Sequence, residues 1–343
     1  MKKLLNTLYI TSRKTCLSRE GENVLVQVDR KSKHYFPIHL LEGIVCFGNV
    51  MCTPSLIQLC TFNKVTVSFL SDRGRFLARV QGPVSGNVLL RREQYRKADN
   101  EHHSVHIARS IILGKIANSR SVLMRAAREQ VDETALACLK KACLHLSYLS
   151  QNVSRFNSLD TLRGIEGEAA KTYFSVFDFL ILSQKEEFFF KERSRRPPLD
   201  NMNALMSFLY TLLVHDITSA LESVGLDPSV GYLHKDRPGR PSLALDMMEE
   251  FRSVLSDRLA LTLINRLQIK GMGFKKSDSG DVKMDDETRK EVLVAYQKRK
   301  QETILHPFLG EKISIGLIPY VQASLFSRYL RNDLDGYPPF VWK

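Results

Sequence analysis

The chain has 343 residues, 43% of them hydrophobic and 25% charged, with a formal net charge of +13. That length exceeds a typical single domain and can bury a core without disulfides or structural metals, so two domains are expected and a small cross-linked scaffold is excluded. The excess of Lys and Arg favours a polyanionic partner, of which nucleic acid is the commonest, and says nothing about the fold.

The N-terminus turns polar by Asn6 and lacks the apolar core of a secretory signal. No uninterrupted run of about 18 apolar residues occurs, so no membrane segment and a cytoplasmic location are expected. The six cysteines contain no C-x-x-C pair, which argues against a zinc ribbon and for reduced thiols.

Up to about residue 82, short runs rich in β-branched and aromatic residues read as strands: Leu8–Ile10, Val24–Val28, Tyr35–Pro37, Ile44–Phe47, Val65–Leu70 and Phe76–Val80. Glu20-Gly21-Glu22 and Asp72-Arg73-Gly74 read as turns. One helix, Pro54–Phe62 with Thr53 as N-cap, interrupts the strands. Gln81–Gly86 is a turn-rich junction, after which the period becomes helical. Helices are expected at about 101–129, 132–150, 160–183, 200–224, 242–268, 286–302 and 316–332, with Asp160, Asp200 and Ser242 as starts. Residues 269–286 break the pattern, and Ser279-Gly280 closes a small hairpin there or the segment is a loop. The fold class is therefore α+β: a small β-rich domain over 1–84, then a larger all-α domain over 85–343.

The candidate chemistry lies in the second domain. Glu166 stands between Gly164 and Gly167, in the run Arg163-Gly164-Ile165-Glu166-Gly167-Glu168, where small neighbours let a bulky group approach. His234 sits in a shaped loop that ends in Pro238-Gly239-Arg240-Pro241, with Lys235, Arg237 and Arg240 suited to phosphate contacts. On the next helix Asp246 and Glu249 are spaced to share a face, beside apolar Leu243, Met247 and Phe251, with Glu250 adjacent. Paired carboxylates repel unless a cation lies between them. Each position alone is better explained as a solvated helix face or a structural histidine. Together, carboxylates and an imidazole suit Mg²⁺ or Mn²⁺, which in phosphoryl chemistry polarises the phosphate and activates the attacking oxygen.

Other features are weaker. Asn203, Ser207 and Tyr210 repeat on one helix face and can orient Glu166 or His234, or satisfy buried backbone groups. Tyr173 reads as core. His102, His103 and His106 read as a solvated first turn. Residues 91–97 and 297–301 are basic and either track duplex phosphates or are simply solvated.

The pattern R-G-I-E-G-E, then R-R-P-P-L-D-N-M-N-A-L-M-S-F-L-Y, then G-Y-L-H-K-D-R-P-G-R-P-S-L-A-L-D-M-M-E-E-F-R resembles the CRISPR-associated endonuclease and spacer integrase family, Cas one, in a type I-C-like form. The resemblance runs over nearly the whole chain. It implies an N-terminal β-domain for dimerisation and partner docking and a helical catalytic domain. It implies metal ligands at Glu166, His234 and Glu249, with Asp246 as a further one. Arg163, Lys235, Arg237 and Arg240 would meet double-stranded DNA. The implied partners are a second copy, a Cas two subunit and a Cas four nuclease. The implied reaction is attack of a fragment's 3′-hydroxyl on a phosphodiester of the CRISPR array, with hydrolysis when water replaces the hydroxyl. The competing readings are a non-catalytic DNA-binding scaffold of the same complex and a metal-dependent phosphatase on small esters.

Overall fold

The computed structural model describes residues 6–12, 14–29, 32–71, 76–80, 82, 88–278 and 280–342. The chain begins with strands β1 (Thr7–Ile10), β2 (Thr15–Glu20), β3 (Asn23–Val28), β4 (Ser32–Pro37), β5 (Gly43–Phe47) and β6 (Met51–Cys52). Helix α1 (Pro54–Phe62) and strands β7 (Thr66–Leu70) and β8 (Phe76–Val80) follow. Then come α2 (Val88–Asp99), α3 (Glu101–Glu129), α4 (Glu133–Asn152), α5 (Leu159–Ser175), α6 (Asn201–Ser223), α7 (Ser242–Met248) and α8 (Arg258–Asn265). The last elements are β9 (Phe274–Lys276), β10 (Val282–Met284), α9 (Asp286–Gln301), β11 (Thr303–Leu305), β12 (Lys312–Ser314) and α10 (Ile318–Leu330). The expected turn at Asp72-Arg73-Gly74, all of the Gln81–Gly86 junction except Gly82, and Ser279 lie outside the described residues.

Two compact units form. The first comprises Met1–Gly86 with Met284–Thr303 and Ser314–Leu317, so α9 returns to it late in the chain. The second comprises Asn87–Lys283, Ile304–Ile313 and Ile318–Lys343.

The first unit is built on two four-stranded sheets, in the orders β1-β5-β7-β8 and β4-β3-β2-β6. In the first sheet β1, β5 and β7 run parallel and β8 is antiparallel. Gly21, at φ +60°, makes the turn that pairs Glu20 with Asn23, a left-handed position that glycine tolerates best. Thr53 Oγ1 accepts the Leu56 N–H at 3.4 Å and Pro54 opens α1, as the sequence indicates. Leu17, Val24, Ile44, Leu56, Cys60 and Val67 make up much of the core. Strand β2 escapes the sequence reading because its residues, Thr-Cys-Leu-Ser-Arg-Glu, are mostly polar. Pairing on both sides, Leu17 against Val26 and Cys52, makes it a strand.

The second unit is helical. Ile107, Ile111, Ile112, Ile116 and Leu123 form the buried face of α3, and each fully buried aliphatic side chain contributes about 1.5–3 kcal/mol. By length and composition α6 would pass for a membrane span, but Met202, Leu205, Leu209, Leu213 and Leu221 are buried within the fold, which makes it a core helix. Helix α2 is absent from the sequence reading because two of the three residues it buries are polar. Gln94 grips the Asp227 backbone (2.7 and 2.9 Å), and Lys97 donates to Asn332 Oδ1 (2.7 Å). Asp200 caps α6 by accepting the Asn203 N–H at 2.7 Å. Two other expected starts differ. Ser158 precedes α5, leaving Asp160 inside the first turn, where its charge still suits the helix dipole. Ser242 is the first residue of α7 and its hydroxyl donates to the Lys235 carbonyl. Strands β9 and β10 pair, the hairpin of the two alternatives for this segment, with Gly280 at φ +84°.

Candidate metal centre

Within the helical unit, α3 contributes Lys115, α5 contributes Glu166, the loop after α6 contributes His234, and the turn after α7 contributes Glu249. The Lys115 ammonium pairs with Glu166 Oε1 and lies 2.7 Å from Glu249 Oε2. Arg252 closes the other side, 2.9 Å from Glu249 Oε1. Glu249 is 1% exposed, so it has exchanged water for two cations. Burial alone would push its carboxyl up, but Arg252 and then Lys115 hold it down, to about 2. Its Oε2 has the Lys115 ammonium as its partner.

The position of Glu249 depends on a break in the helix. The expected single helix over 242–268 is interrupted: α7 stops at Met248, a turn follows, and Arg252–Asp257 is π-helical before α8. The Glu249 N–H bonds back to the Asp246 carbonyl at 3.1 Å, a tighter step than α-helix allows. Asp246 and Glu249 nevertheless take different partners, Asp246 the histidine loop and Glu249 the two cations.

Asp246 faces the histidine loop. Its Oδ1 accepts the His234 N–H at 2.9 Å and the ring Nδ1–H at 2.6 Å. Its Oδ2 accepts the Tyr232 and Leu233 N–H groups at 2.6 and 3.0 Å. Asp246 is fully buried with both oxygens engaged, so it stands behind His234 and is not available as the further metal ligand expected of it. A carboxylate on Nδ1 fixes the ring so that Nε2 is the nitrogen left for a ligand. Gly231 makes the loop possible. A Cβ there would lie 2.7 Å from Ser242 Cβ and 2.9 Å from the His234 carbonyl. Around Glu166 the reverse holds, since a Cβ on Gly164 or Gly167 would meet nothing within 4 Å.

Glu250 belongs elsewhere. Its Oε2 accepts the Phe340 N–H at 2.7 Å and the Gln322 amide at 3.2 Å, and burial pushes its carboxyl up to about 8. Asn118 ties the Glu250 and Phe340 carbonyls together at 2.7 and 2.8 Å.

The remaining expected residues divide. Arg163 donates to the Leu233 carbonyl and to Asp160, both at 2.7 Å, so it bolts α5 to the histidine loop and does not lie free for DNA. Lys235 and Arg237 are exposed beside His234, and Arg240 is half-buried. Asn203 and Ser207 touch neither Glu166 nor His234. They hold Arg193, at 2.6 and 3.0 Å, and Asn203 also binds the Glu192 carbonyl. The Tyr210 hydroxyl donates to Asp257 Oδ1 at 2.7 Å, and the guanidinium groups of Arg193 and Arg252 lie over its ring at 5.3 and 5.2 Å. Tyr173 is core, as expected, and donates to Asp257 Oδ2 at 3.1 Å. His102 and His106 are exposed, with Nε2 atoms 3.3 Å apart.

Lys115, Arg252 and Asp257 are the residues that sequence reasoning misses. Lys115 had a signal: Ile111, Lys115, Asn118 and Val122 share one buried face of α3, where a lone charge demands a partner. Among the described residues no three His, Cys, Asp or Glu side chains gather as a metal-binding cluster, and the Lys115 ammonium pairs with both carboxylates. The donors nevertheless fit a divalent ion in kind: two carboxylates, of which Glu249 is held ionised, and an oriented imidazole.

The family model described as CRISPR associated protein Cas1 matches residues 8–298. A relative from Chlorobaculum tepidum, CRISPR-associated endonuclease Cas1 1, is 54% identical over 343 residues, covering all of both chains. Among solved structures, TM1797, a CAS1 protein from Thermotoga maritima, superimposes with a TM-score of 0.82 at 23% identity, over 98% of this chain and 100% of that one. A Cas6-RT-Cas1–Cas2 complex matches with a TM-score of 0.83 at 24% identity, over 100% of this chain and 36% of its own.

Proposed function

Since this chain belongs to the Cas1 family of CRISPR-associated proteins, we propose that it is a metal-dependent DNA endonuclease and integrase, inserting short DNA fragments into a CRISPR array. The observation that carries the reading is the pair of carboxylates, Glu166 and Glu249, drawn onto one cation, together with an imidazole, His234, that Asp246 orients.

Glu166, Glu249 and His234 Nε2 would hold Mg²⁺ or Mn²⁺. When bound, such an ion supplies charge stabilisation at the phosphorus oxygens. The chain's own residues do the rest. Arg252 keeps Glu249 ionised in a buried site. Asp246 sets the ring so that it needs no reorientation. Lys235, Arg237 and Arg240 hold the DNA backbone as cations on a loop that Arg163 and Asp246 keep in place. The incoming 3′-oxygen bonds to phosphorus as the 3′-oxygen of the cut strand leaves and takes up a proton. With water in place of the incoming hydroxyl the same exchange is hydrolysis.

The resemblance extends to partners: a second copy of this chain, a Cas2 subunit and a Cas4 nuclease, with the β-rich domain over 1–84 serving dimerisation and docking. His234→Ala tests the site. Mn²⁺-dependent cleavage and joining of DNA should vanish while Tm barely moves, since Asp246 keeps its three backbone N–H partners. Persistent activity would remove His234 from the mechanism.

A further inference from the structure

Glu166 and Glu249 carry two negative charges, and Lys115 and Arg252 already balance them. A divalent ion entering with both cations in place would add two positive charges to a pair of carboxylates already balanced, in a poorly hydrated site. Such an excess is costly at low dielectric, so one cation has to withdraw. Arg252 is tied down: it pairs with Glu249 Oε1 and its guanidinium rests over the Tyr210 ring at 5.2 Å. Lys115 is the one on the ion's path, since among the described residues its ammonium is the cation paired with both carboxylates. A flexible four-carbon stem lets it leave within the pocket that Glu166 and Glu249 themselves line together with Lys115, Ser119, Ala170 and Arg195.

We propose that Lys115 is a built-in counter-cation that takes the metal's place between Glu166 and Glu249 and is displaced when a divalent ion binds. Without it, two carboxylates would face each other across the site before metal arrives, and they would repel or take up a proton. With it, the metal-free site keeps its shape at the cost of affinity, because only the fraction of molecules with the lysine withdrawn can bind. The inference rests on the metal reading above. It makes Lys115 a positioning residue, and it assigns weak metal affinity to the chain itself.

The test uses the full chain and Mn²⁺ alone, with calorimetry on wild type, Lys115→Met and His234→Ala. Lys115→Met keeps the apolar stem and removes the charge. It should lower the Mn²⁺ Kd roughly ten-fold and enlarge the Mn²⁺-induced rise in Tm. Binding by wild type with no tightening in Lys115→Met overturns the proposal and leaves the metal reading standing. Absence of binding in both wild type and Lys115→Met overturns the metal reading and this inference with it. Amine acetylation followed by mass spectrometry on wild type decides the matter independently of how the variant folds. Lys115 should be protected without metal and labelled several-fold faster at saturating Mn²⁺, with no such change in His234→Ala. Protection that persists at saturating Mn²⁺ overturns the proposal.

Discussion

Asp246 Oδ1 receives the Nδ1–H of His234 at 2.6 Å and the backbone N–H of the same residue at 2.9 Å, so one carboxylate oxygen fixes both the ring and the chain that carries it. The interaction crosses from helix to loop over only twelve residues, and it makes the histidine's direction a property of α7. Four expected outcomes follow from this arrangement and its neighbours.

Asp246→Asn keeps the shape and removes the charge. Its amide turns a donor toward N–H groups that need an acceptor. Metal affinity or DNA cleavage should fall about 10–100-fold, the usual effect of losing a partner behind a ligand. Buried N–H groups left unsatisfied should cost about 1–3 kcal/mol in urea unfolding. Unchanged cleavage would show that the ring needs no such support.

Two glycines near the site should respond oppositely to alanine. Gly231→Ala places Cβ 2.7 Å from Ser242 Cβ and must push the loop aside, so a loss of about 1–3 kcal/mol and of cleavage is expected. Gly167→Ala lies inside α5 with nothing within 4 Å, and should stabilise by about 0.5–1 kcal/mol. Thermal unfolding of both variants checks the contrast.

Cations beside the site should separate by role. Lys235→Ala and Arg237→Ala remove exposed charges, so each should weaken DNA binding and reduce the salt slope by about one. Arg163→Ala breaks the bond to the Leu233 carbonyl and should lower Tm while leaving the salt slope nearly intact. A slope that falls with Arg163 and not with the other two would reverse the assignment.

Asp257 should give stability a distinct pH dependence. Burial raises its carboxyl from 3.8 to about 6, and the donated Tyr210 and Tyr173 hydroxyls limit the rise. The folded state thus holds the proton more tightly than the unfolded chain. The stabilisation is complete below 3.8 and is lost as pH rises through about 6. Relative to Asp257→Asn, wild type should lose on the order of 2 kcal/mol between pH 4.5 and 7 in urea titrations. A pH-independent difference would mean that Asp257 is ionised throughout.

The division into β-rich and helical parts is legible in the chain, because period-two and helical patterns are local and need no partner to appear. Thr53 and Asp200 are legible for the same reason, as caps act within three residues. The segment holding His234 is legible too, since its glycines and prolines announce a shaped loop before a helix. What tertiary structure alone decides is which polar groups meet. Strand β2 and helix α2 exist through partners far along the chain, Leu17 against Cys52 and Gln94 against Asp227. Asp246 and Glu249, three residues apart, read as a pair, yet packing gives one to His234 and the other to Lys115. Asn203, Ser207 and Tyr210 sit on the helix face that the sequence indicates, but Arg193 and Asp257 claim them. Sequence thus determined the kinds of donor this protein carries. Folding determined their pairing, because a buried charge takes whichever counter-charge the packing brings nearest, and here that is a lysine from α3.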